Sequence, residues 1–389
     1  MRGRTACQEN SSVTTRLRSL MRPTSSPRPR PLLRPPPDRG IFTARTTITR
    51  DAAKGGGGYS MGRIRMGFIG CGGNASGHIG RVIEMAETAV VALCDVSDDS
   101  LQRVRERHDA IGDLPTFSDY EEMLSQVEMD AVEISTPHTL HFDQIMNALD
   151  RGLHVLSEKP MVCRVDHAHA AIAKARERGK ILMVSYQRHL APQFRFVRNQ
   201  IKCGELGEVQ FISAMQDQRW YEGTRGAWRQ QLALSGGGQL NDSGSHLLDI
   251  VLWMTGLQVD EVHAYMENFE SEVDINSALS VRFSNGGLGN ISIVGNSPVG
   301  GMWEDITIWG SKAVVYMRNG SITYKTPSES SEPQGLPGAT TPDQNFVDAI
   351  LGRDEVQVPP ECGLRVIELT EAAWESARTG VPAKVEAAA

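Results

Sequence analysis

Residues 64–75 read Ile-Arg-Met-Gly-Phe-Ile-Gly-Cys-Gly-Gly-Asn-Ala, and this stretch decides the fold. The apolar first half predicts a buried strand, and the glycines that follow predict a turn into a helix. Gly70 permits the tight turn, Gly72 lets the backbone approach a ligand closely, and Ala75 lets the helix pack near the strand. Because the free N–H groups at a helix start bind phosphate, this turn is a candidate dinucleotide site. An ordinary glycine loop is the alternative.

An acidic residue follows the next apolar run. Residues 90–93 lead to Asp95, which lies 25 positions after Gly70. A carboxylate at this place accepts hydrogen bonds from an adenosine ribose and repels a 2′-phosphate. No arginine occurs in residues 96–99, so the residues favour NAD over NADP. A turn or helix-capping aspartate is the alternative.

The charge of the chain is unevenly placed. Its 389 residues have room for two domains, and 40% apolar and 22% charged residues are typical of a globular protein. Residues 1–60 carry twelve basic and three acidic side chains, a net charge of +9, and the whole chain carries −7, which leaves −16 for the remainder. Because residues 61–389 carry this strong negative charge, they do not attract a polyanion, and we expect no nucleic-acid partner.

Residues 1–62 are predicted to be a disordered leader. They are rich in Arg, Pro, Ser and Thr and lack hydrophobic periodicity, and Met61 is expected to begin the functional chain. We find neither a secretory signal core nor an apolar run of about 18 residues, so we expect no membrane span. The six cysteines form no Cys-x-x-Cys pair. A reduced, cytoplasmic location is expected.

The pattern of predicted strands and helices changes near residue 185. Over residues 63–185, apolar runs alternate with helical patterns, which predicts an α/β domain with a doubly wound parallel sheet. Residues 186–389 show strand patterns mostly without intervening helices, which predicts a second α/β domain with an open, mainly antiparallel sheet. The strands expected there are 209–214, 261–265, 278–283, 288–294, 306–309 and 313–317. The helices expected there are 241–253, 345–351 and 364–378.

Glu158-Lys159-Pro160 follows the predicted strand at residues 154–156. Active-site groups of open α/β sheets collect at the carboxyl ends of strands, and a following proline holds Lys159 extended. An ammonium group there can stabilise the alkoxide that develops as hydride leaves a substrate. A surface lysine in a turn is the alternative.

The segment from Gly236 to His246 begins with three glycines. Asp242 and His246 are four positions apart, which predicts one shared helix face. His246 titrates near neutral pH and is a candidate general base, with Asp242 orienting it. The triple glycine favours close approach of a ligand. A capping aspartate with a core histidine is the alternative.

Further polar and aromatic residues are candidates for ligand contacts. Thr136-Pro137-His138 follows another predicted strand and is expected near the nicotinamide, although helix initiation also explains it. Aromatic and cationic side chains can stack on or hydrogen-bond a polar ring, although buried aromatics usually belong to the core. These candidates are Tyr186, Arg188, Trp220 and Trp228. Nothing in the sequence requires a metal.

Taken together, these motifs resemble the glucose-fructose oxidoreductase, inositol dehydrogenase and MocA (Gfo/Idh/MocA) family over about residues 63–380. The resemblance rests on an ordered set: Gly70-x-Gly72-x-x-Ala75, Thr136-Pro137 with His141 downstream, Glu158-Lys159-Pro160, and the glycine-rich segment ending at His246. It implies a Rossmann domain followed by a domain whose open sheet forms oligomer contacts and one wall of the active site. Members of the family oxidise or reduce sugars and cyclitols with NAD or NADP.

The resemblance also implies roles for single residues. Lys159 matches the family's catalytic lysine, His246 its usual proton acceptor and Asp242 the carboxylate one helical turn earlier. Asp95 matches the ribose-binding acid of the members that use NAD. His138 departs from the family pattern, because many members carry asparagine after Thr-Pro.

We therefore expect an NAD-dependent oxidoreductase that acts on a secondary hydroxyl of a sugar, cyclitol or glycoside. The alternatives are an NAD-dependent glycosidase or lyase that oxidises the sugar transiently, and an NAD-binding sensor without activity. The expected cofactor residues are Gly70, Gly72, Gly73, Asn74, Ala75, Asp95, Thr136, Pro137, His141, Glu158 and Lys159. The expected substrate residues are Lys159, Arg188, Trp228, Asp242 and His246. A homo-oligomer, dimer or tetramer, is expected through a sheet face carrying Ile306, Ile308 and Val314.

Overall fold

The computed structural model describes residues 62–385. The leader predicted over residues 1–62 lies outside this range, except for its last residue. Within the described residues, no helix combines the length and the apolar character that a membrane crossing needs.

The first sheet has six parallel strands in the spatial order β3-β2-β1-β4-β5-β6. This order reverses direction at β1, which is the point where dinucleotide-binding folds take their ligand. The strands are β1 Ile64–Ile69, β2 Thr88–Cys94, β3 Thr116–Phe117, β4 Ala131–Ile134, β5 His154–Ser157 and β6 Leu182–Val184. The predicted parallel sheet is confirmed.

Helices connect these strands. They are α1 Gly73–Glu84, α2 Asp98–Arg107, α3 Tyr120–Gln126, α4 His141–Asp150 and α5 Val165–Arg178. Ser97 and Asp119 cap α2 and α3, since their side chains accept hydrogen bonds from N–H groups of the first turn. Helix α1 buries Ala75, Ile79 and Val82 on one face, which fixes it against the sheet.

The second sheet has nine strands in the order β14-β13-β12-β11-β7-β10-β9-β8-β15. Among the strands of this sheet within residues 62–385, only β7 and β10 pair in parallel, so the prediction of a mainly antiparallel sheet is confirmed. The strands are β7 Val209–Gln218, β8 Val259–Glu267, β9 Asn276–Phe283, β10 Leu288–Val294, β11 Met302–Gly310, β12 Val314–Arg318, β13 Ser321–Lys325, β14 Ser330–Ser331 and β15 Ala383–Lys384.

One face of this sheet packs on helices of the same chain. The helices that follow β6 are α6 Pro192–Lys202, α7 Trp220–Gly223, α8 Leu232–Ser235, α9 Ser245–Thr255, α10 Pro342–Ile350 and α11 Pro360–Thr379. Of these, α9 contacts β7 and α11 contacts β8 of the second sheet. Helix α11 also contacts α5, which connects two strands of the first sheet. Ile306 and Ile308 are buried on the covered face. The prediction that they present a pairing surface is therefore wrong, whereas Val314 does lie on the open face, where it pairs with Trp309.

Candidate active site

A cavity of about 590 Å³ lies at the carboxyl ends of β1, β2 and β4. Gly70, Gly72, Gly73 and Asn74 line it. Gly70 has φ of 89°, and a Cβ there would lie 2.6 Å from the carbonyl oxygen of Ser135, so only glycine fits. A Cβ on Gly72 or Gly73 would meet nothing within 4 Å. The turn thus leaves open space beside its backbone for a phosphate group.

The remaining contacts of this cavity suit an adenosine dinucleotide. Helix α1 begins at Gly73 without a side-chain cap, so its first N–H groups are left for a ligand or water. Asp95 lines the cavity and accepts hydrogen bonds from the N–H groups of Cys71 at 2.7 Å and Ser97 at 2.8 Å. A carboxylate offers about four acceptor positions, so two remain for ribose hydroxyls. The described residues fit NAD.

A second cavity, of about 580 Å³, adjoins the first. Thr136 and Trp228 line both cavities, and Pro137 lines the first. Lys159 and His246 line the second cavity, although they are 87 positions apart in the chain. The two side chains that we expect to handle protons therefore face one space beside the dinucleotide cavity.

Asp242 holds Lys159 in place. Lys159 Nζ donates to Asp242 Oδ1 at 2.8 Å, and the Lys159–Pro160 peptide bond is cis. Asp242 Oδ2 also accepts from Trp220 Nε1 at 2.9 Å and Arg229 Nε at 3.1 Å. Burial alone would raise the pKa of Asp242, but Lys159 and the other positive groups outweigh it and hold that pKa well below its usual value. Asp242 is therefore an anion that fixes the ammonium group.

Asp242 and His246 do not share a helix face, contrary to the prediction. Helix α9 begins at Ser245, and Asp242 lies in the turn before it. The N–H groups of Gly238 and Leu240 donate to the carboxylate of Asp274, which holds this segment as a turn.

The triple glycine also has a different role from the predicted one. A Cβ on Gly236 would lie 2.4 Å from Sγ of Cys163, and one on Gly238 would lie 1.9 Å from the carbonyl oxygen of Asp274. These glycines allow close packing within the protein, whereas the prediction assigned them to a ligand.

His246 stands in the first turn of α9 as a neutral imidazole. Burial, followed by the charges of Lys159 and Arg188, lowers the pKa of His246 well below its usual value. Its Nδ1 is buried without a hydrogen-bond partner among the described residues, and the ring of Tyr186 packs edge-on at 5.8 Å. A neutral imidazole is the form that accepts a proton.

His138 is also built into this site. Its Nδ1 lies 3.1 Å from the carbonyl oxygen of Ser235, its Nε2 lies 3.6 Å from Asp242 Oδ1, and its ring packs edge-on against Trp228. Burial lowers the pKa of His138 to about 3. It lines the second cavity as a neutral group.

Sequence reasoning missed a buried ion network behind Lys159. His78 of α1 lies between two carboxylates, with Nε2 at 3.0 Å from Glu158 Oε1 and Nδ1 at 2.7 Å from Asp343 Oδ1. Arg81 Nε donates to Asp343 Oδ2 at 2.5 Å. Burial lowers the pKa of His78, but the surrounding carboxylates raise it overall to well above its usual value. A histidine on the apolar face of α1 was the available signal.

Four of the predicted cofactor and substrate residues do not line either cavity: Ala75, His141, Arg188 and Asp242. Arg188 Nη1 donates to Glu304 Oε2 at 2.5 Å, and both side chains are largely buried. His141 has its ring nitrogens at 3.0 Å and 2.8 Å from the carbonyl oxygens of Thr136 and Pro160. His141 thus supports the loops that line the site.

Two sequence patterns of one family match this chain. The pattern described as an oxidoreductase family with an NAD-binding Rossmann fold matches residues 64–186. The pattern described as the GFO/IDH/MocA C-terminal domain matches residues 194–316. The chain belongs to the Gfo/Idh/MocA family of oxidoreductases.

Characterised relatives are similar over part of their length. D-glucoside 3-dehydrogenase of Escherichia coli (strain K12) is 29% identical over 204 residues, 52% of this chain and 57% of the relative. The rhizopine catabolism protein MocA of Rhizobium meliloti is 30% identical over 197 residues, 50% of this chain and 58% of the relative. The match spans a little over half the length of both relatives.

Solved structures align over most of the chain. The WlbA dehydrogenase from Bordetella pertussis, in complex with NADH and UDP-GlcNAcA, superimposes with a TM-score of 0.72 and 25% identity. The alignment covers 84% of this chain and 100% of that one.

Proposed function

We propose that this protein is an NAD-dependent dehydrogenase that acts on a secondary hydroxyl of a sugar, cyclitol or glycoside. The observation that carries the proposal is that Lys159 and His246 both line the second cavity, which adjoins the first cavity at the glycine-rich turn. Bound NAD would supply the hydride acceptor.

The proposed roles follow from the electrostatics of the site. Lys159 Nζ donates to the carboxylate and to the carbonyl oxygen of Asp242 and offers its third N–H to the substrate oxygen, where negative charge develops as the hydroxyl proton leaves. His246 Nε2 receives that proton, because Nδ1 is buried and the ring is neutral. General-base assistance of this kind contributes roughly 10²–10⁴ in rate.

The residues proposed to hold the dinucleotide lie along the first cavity. Gly70, Gly72 and Gly73 with the first turn of α1 would hold the phosphates, and Asp95 the adenosine ribose. Thr136 lies where the two cavities adjoin and would contact the nicotinamide end.

The second cavity suits a polyol of monosaccharide size. Its volume of about 580 Å³ falls within the usual range for small ligands. Gln187, Trp228, Arg229 and Thr340 line it and offer polar groups and an indole ring. Such walls match a ring that carries several hydroxyl groups. The name of the E. coli relative indicates the same substrate class for that protein.

A substrate screen tests the proposal. Sugars, inositols and glycosides are incubated with the protein and NAD, and nicotinamide absorbance and products are followed together. We expect reduced nicotinamide to form in equal amount with an oxidised product. Cleavage of a glycoside without reduced nicotinamide would instead assign a redox-neutral glycosidase or lyase, and NAD binding without turnover of any compound would contradict the proposal.

A further inference from the structure

A third cavity, of about 390 Å³, is lined by positive charge and lies between α6 and α11. Arg195, Arg198 and Lys202 of α6 line it, and their spacing of three and four places them on one helix face. Arg365 of α11 also lines it. These four basic residues lie close together in a part of the chain, residues 61–389, whose net charge is strongly negative.

The three cations of α6 have no anionic partner within residues 62–385. Arg195 Nη1 donates to the carbonyl oxygen of Gly338 at 3.3 Å. Arg198 Nη1 donates to the carbonyl oxygen of Trp253 at 2.5 Å, and its guanidinium lies 4.1 Å from that indole ring. Burial, together with the neighbouring charge of Arg198, lowers the pKa of Lys202. The cavity thus gathers three cations that form no ion pair among the described residues.

Arg365 adds a fourth cation to the same cavity. Its Nη2 donates to Sγ of Cys362 at 3.4 Å, but its Nε is buried without a hydrogen-bond partner. Glu355 also lines the cavity, but its side chain is exposed and forms no ion pair with these described cations.

We propose that this cavity binds a phosphate dianion, either free or as the ester of a small metabolite. Guanidinium groups match the oxygens of phosphate with paired N–H donors, and lysine adds a point charge. The volume of about 390 Å³ is within the range of small-ligand sites and accommodates a phosphate with a short carbon skeleton.

The cavity is connected to the active site by one chain segment. Pro337 lines the basic cavity, and Gly338 accepts from Arg195. Thr340 N donates to the carbonyl oxygen of Leu190 at 3.4 Å, and both residues line the proposed substrate cavity. An anion that moves Arg195 therefore acts on a wall of that cavity, and we expect it to change KM. This effect rests on the proposed dehydrogenase activity, whereas binding itself does not.

Calorimetric titration with inorganic phosphate and with ethyl phosphate, an ester without a hydroxyl group that the proposed activity could oxidise, tests the site. The full chain is saturated with NAD, so that the glycine turn is filled, and chloride keeps the ionic strength constant. The double variant R195Q/K202Q removes two charges from the cavity. The control R107Q/R151Q removes two exposed charges elsewhere and belongs to no described ion pair.

Saturable binding to the wild type and the control, weakened about tenfold or more in R195Q/K202Q, is expected from losing two charge-assisted contacts. Tighter binding of ethyl phosphate than of phosphate would identify the ligand as an ester, and equal binding would identify free phosphate. Equal affinity in all three proteins, or no saturation in the wild type, would overturn the site. Because binding is measured without turnover, its loss is distinguishable from failure of the proposed activity.

Discussion

At the scale of single residues, Asp242 determines where the ammonium group of Lys159 lies. The carboxylate contacts Lys159, Trp220 and Arg229 at once, so it positions one catalytic candidate and two neighbouring side chains. An anion with three donors keeps its charge when buried, because each contact favours the ionised form.

Replacing this carboxylate tests its positioning role. D242N leaves a side chain of the same size but removes the charge, so Lys159 loses its ion-pair partner. We expect kcat to fall roughly 10²-fold, as for loss of one preorganised electrostatic contact, while NAD affinity changes little. Steady-state kinetics and NAD titration measure both. Unchanged kcat would show that Asp242 is structural only.

The acidic limb of the pH profile reports His246. Since burial, Lys159 and Arg188 lower the pKa of His246 below its usual value, kcat/KM is expected to fall only at pH well below 6.5. R188Q/E304Q removes one positive charge together with its buried partner. Arg188 is among the main charges acting on His246 and Glu304 is not, so the loss of the Arg188 charge dominates and the acidic limb should move to higher pH. A limb that stays in place would contradict this assignment.

The nucleotide preference is tested at Asp95. D95N removes the charge that repels a 2′-phosphate and keeps one acceptor oxygen, whereas the N–H groups of Cys71 and Ser97 donate to separate oxygens of Asp95. We expect kcat/KM with NAD to fall about tenfold relative to NADP, the size of one charged hydrogen bond. Kinetics with both cofactors measure the ratio. An unchanged ratio would remove Asp95 from cofactor selection.

Some of these residues could be predicted from the sequence, whereas the contact between Lys159 and Asp242 could not. Lys159 and Asp95 follow strands directly, so motif and strand end identify them together. The Lys159–Asp242 pair joins residues 83 positions apart, and no local pattern predicts such a contact. The roles of the individual residues stay predictions.

At the scale of elements, α1 and α10 are joined behind the active site. His78 of α1 lies between Glu158 and Asp343, and Asp343 is fully buried at the start of α10. The position of Glu158, and so of the adjoining Lys159, therefore depends on two helices that are far apart in sequence.

D343A tests this connection. It removes one of the two carboxylates that contact His78. Breaking a buried ion pair is expected to cost about 3 kcal/mol of unfolding free energy. Because the pKa of His78 is raised, its contribution is present below the usual histidine pKa and is lost as pH rises through the raised value. Urea unfolding at several pH values measures the loss.

The matched control lies on the same helix. D348A removes a carboxylate of α10 that is partly exposed and pairs with Arg353 at 3.6 Å. Exposed pairs contribute up to about 1 kcal/mol. An equal loss in D343A and D348A would show that the buried network does not stabilise the fold.

The limits of helix prediction are visible at α9. Residues 241–244 continue the helical pattern in sequence, yet they form a turn because the carboxylate of Asp274 binds the N–H groups of Gly238 and Leu240. A distant side chain overrides the local pattern here.

At the scale of the whole molecule, the second sheet leaves one face open. Phe211, Met215, Leu288 and Trp303 are exposed on it, whereas the other face is buried under helices. An exposed apolar patch on a sheet indicates an interaction surface. The expected homo-oligomer stays a prediction, now placed on this open face.

Charges on this face should separate the subunits. F211E/M215E is expected to convert an oligomer into a monomer, because two buried carboxylates without partners cannot be accommodated between apolar surfaces. Light scattering after size-exclusion chromatography measures the mass. The control Q102E/Q126E adds the same charge on exposed helix positions, and an unchanged mass in F211E/M215E would exclude this face.

The fold class followed from alternation of strands and helices, which the sequence shows directly. Period-two alternation distinguishes the two faces of a strand but does not tell which face the chain itself covers. Ile306 and Ile308 were assigned to the open face for this reason. The domain boundary at residues 185 and 186 stays a prediction.

The central claim is that Lys159 and His246 act together on one substrate carbon beside NAD. The most direct measurement is the rate of nicotinamide reduction in K159A and H246A, with NAD affinity measured on the same proteins. The account predicts that either variant loses about 10² to 10⁴ in turnover and binds NAD nearly as tightly as the wild type. Wild-type turnover in either variant would contradict it.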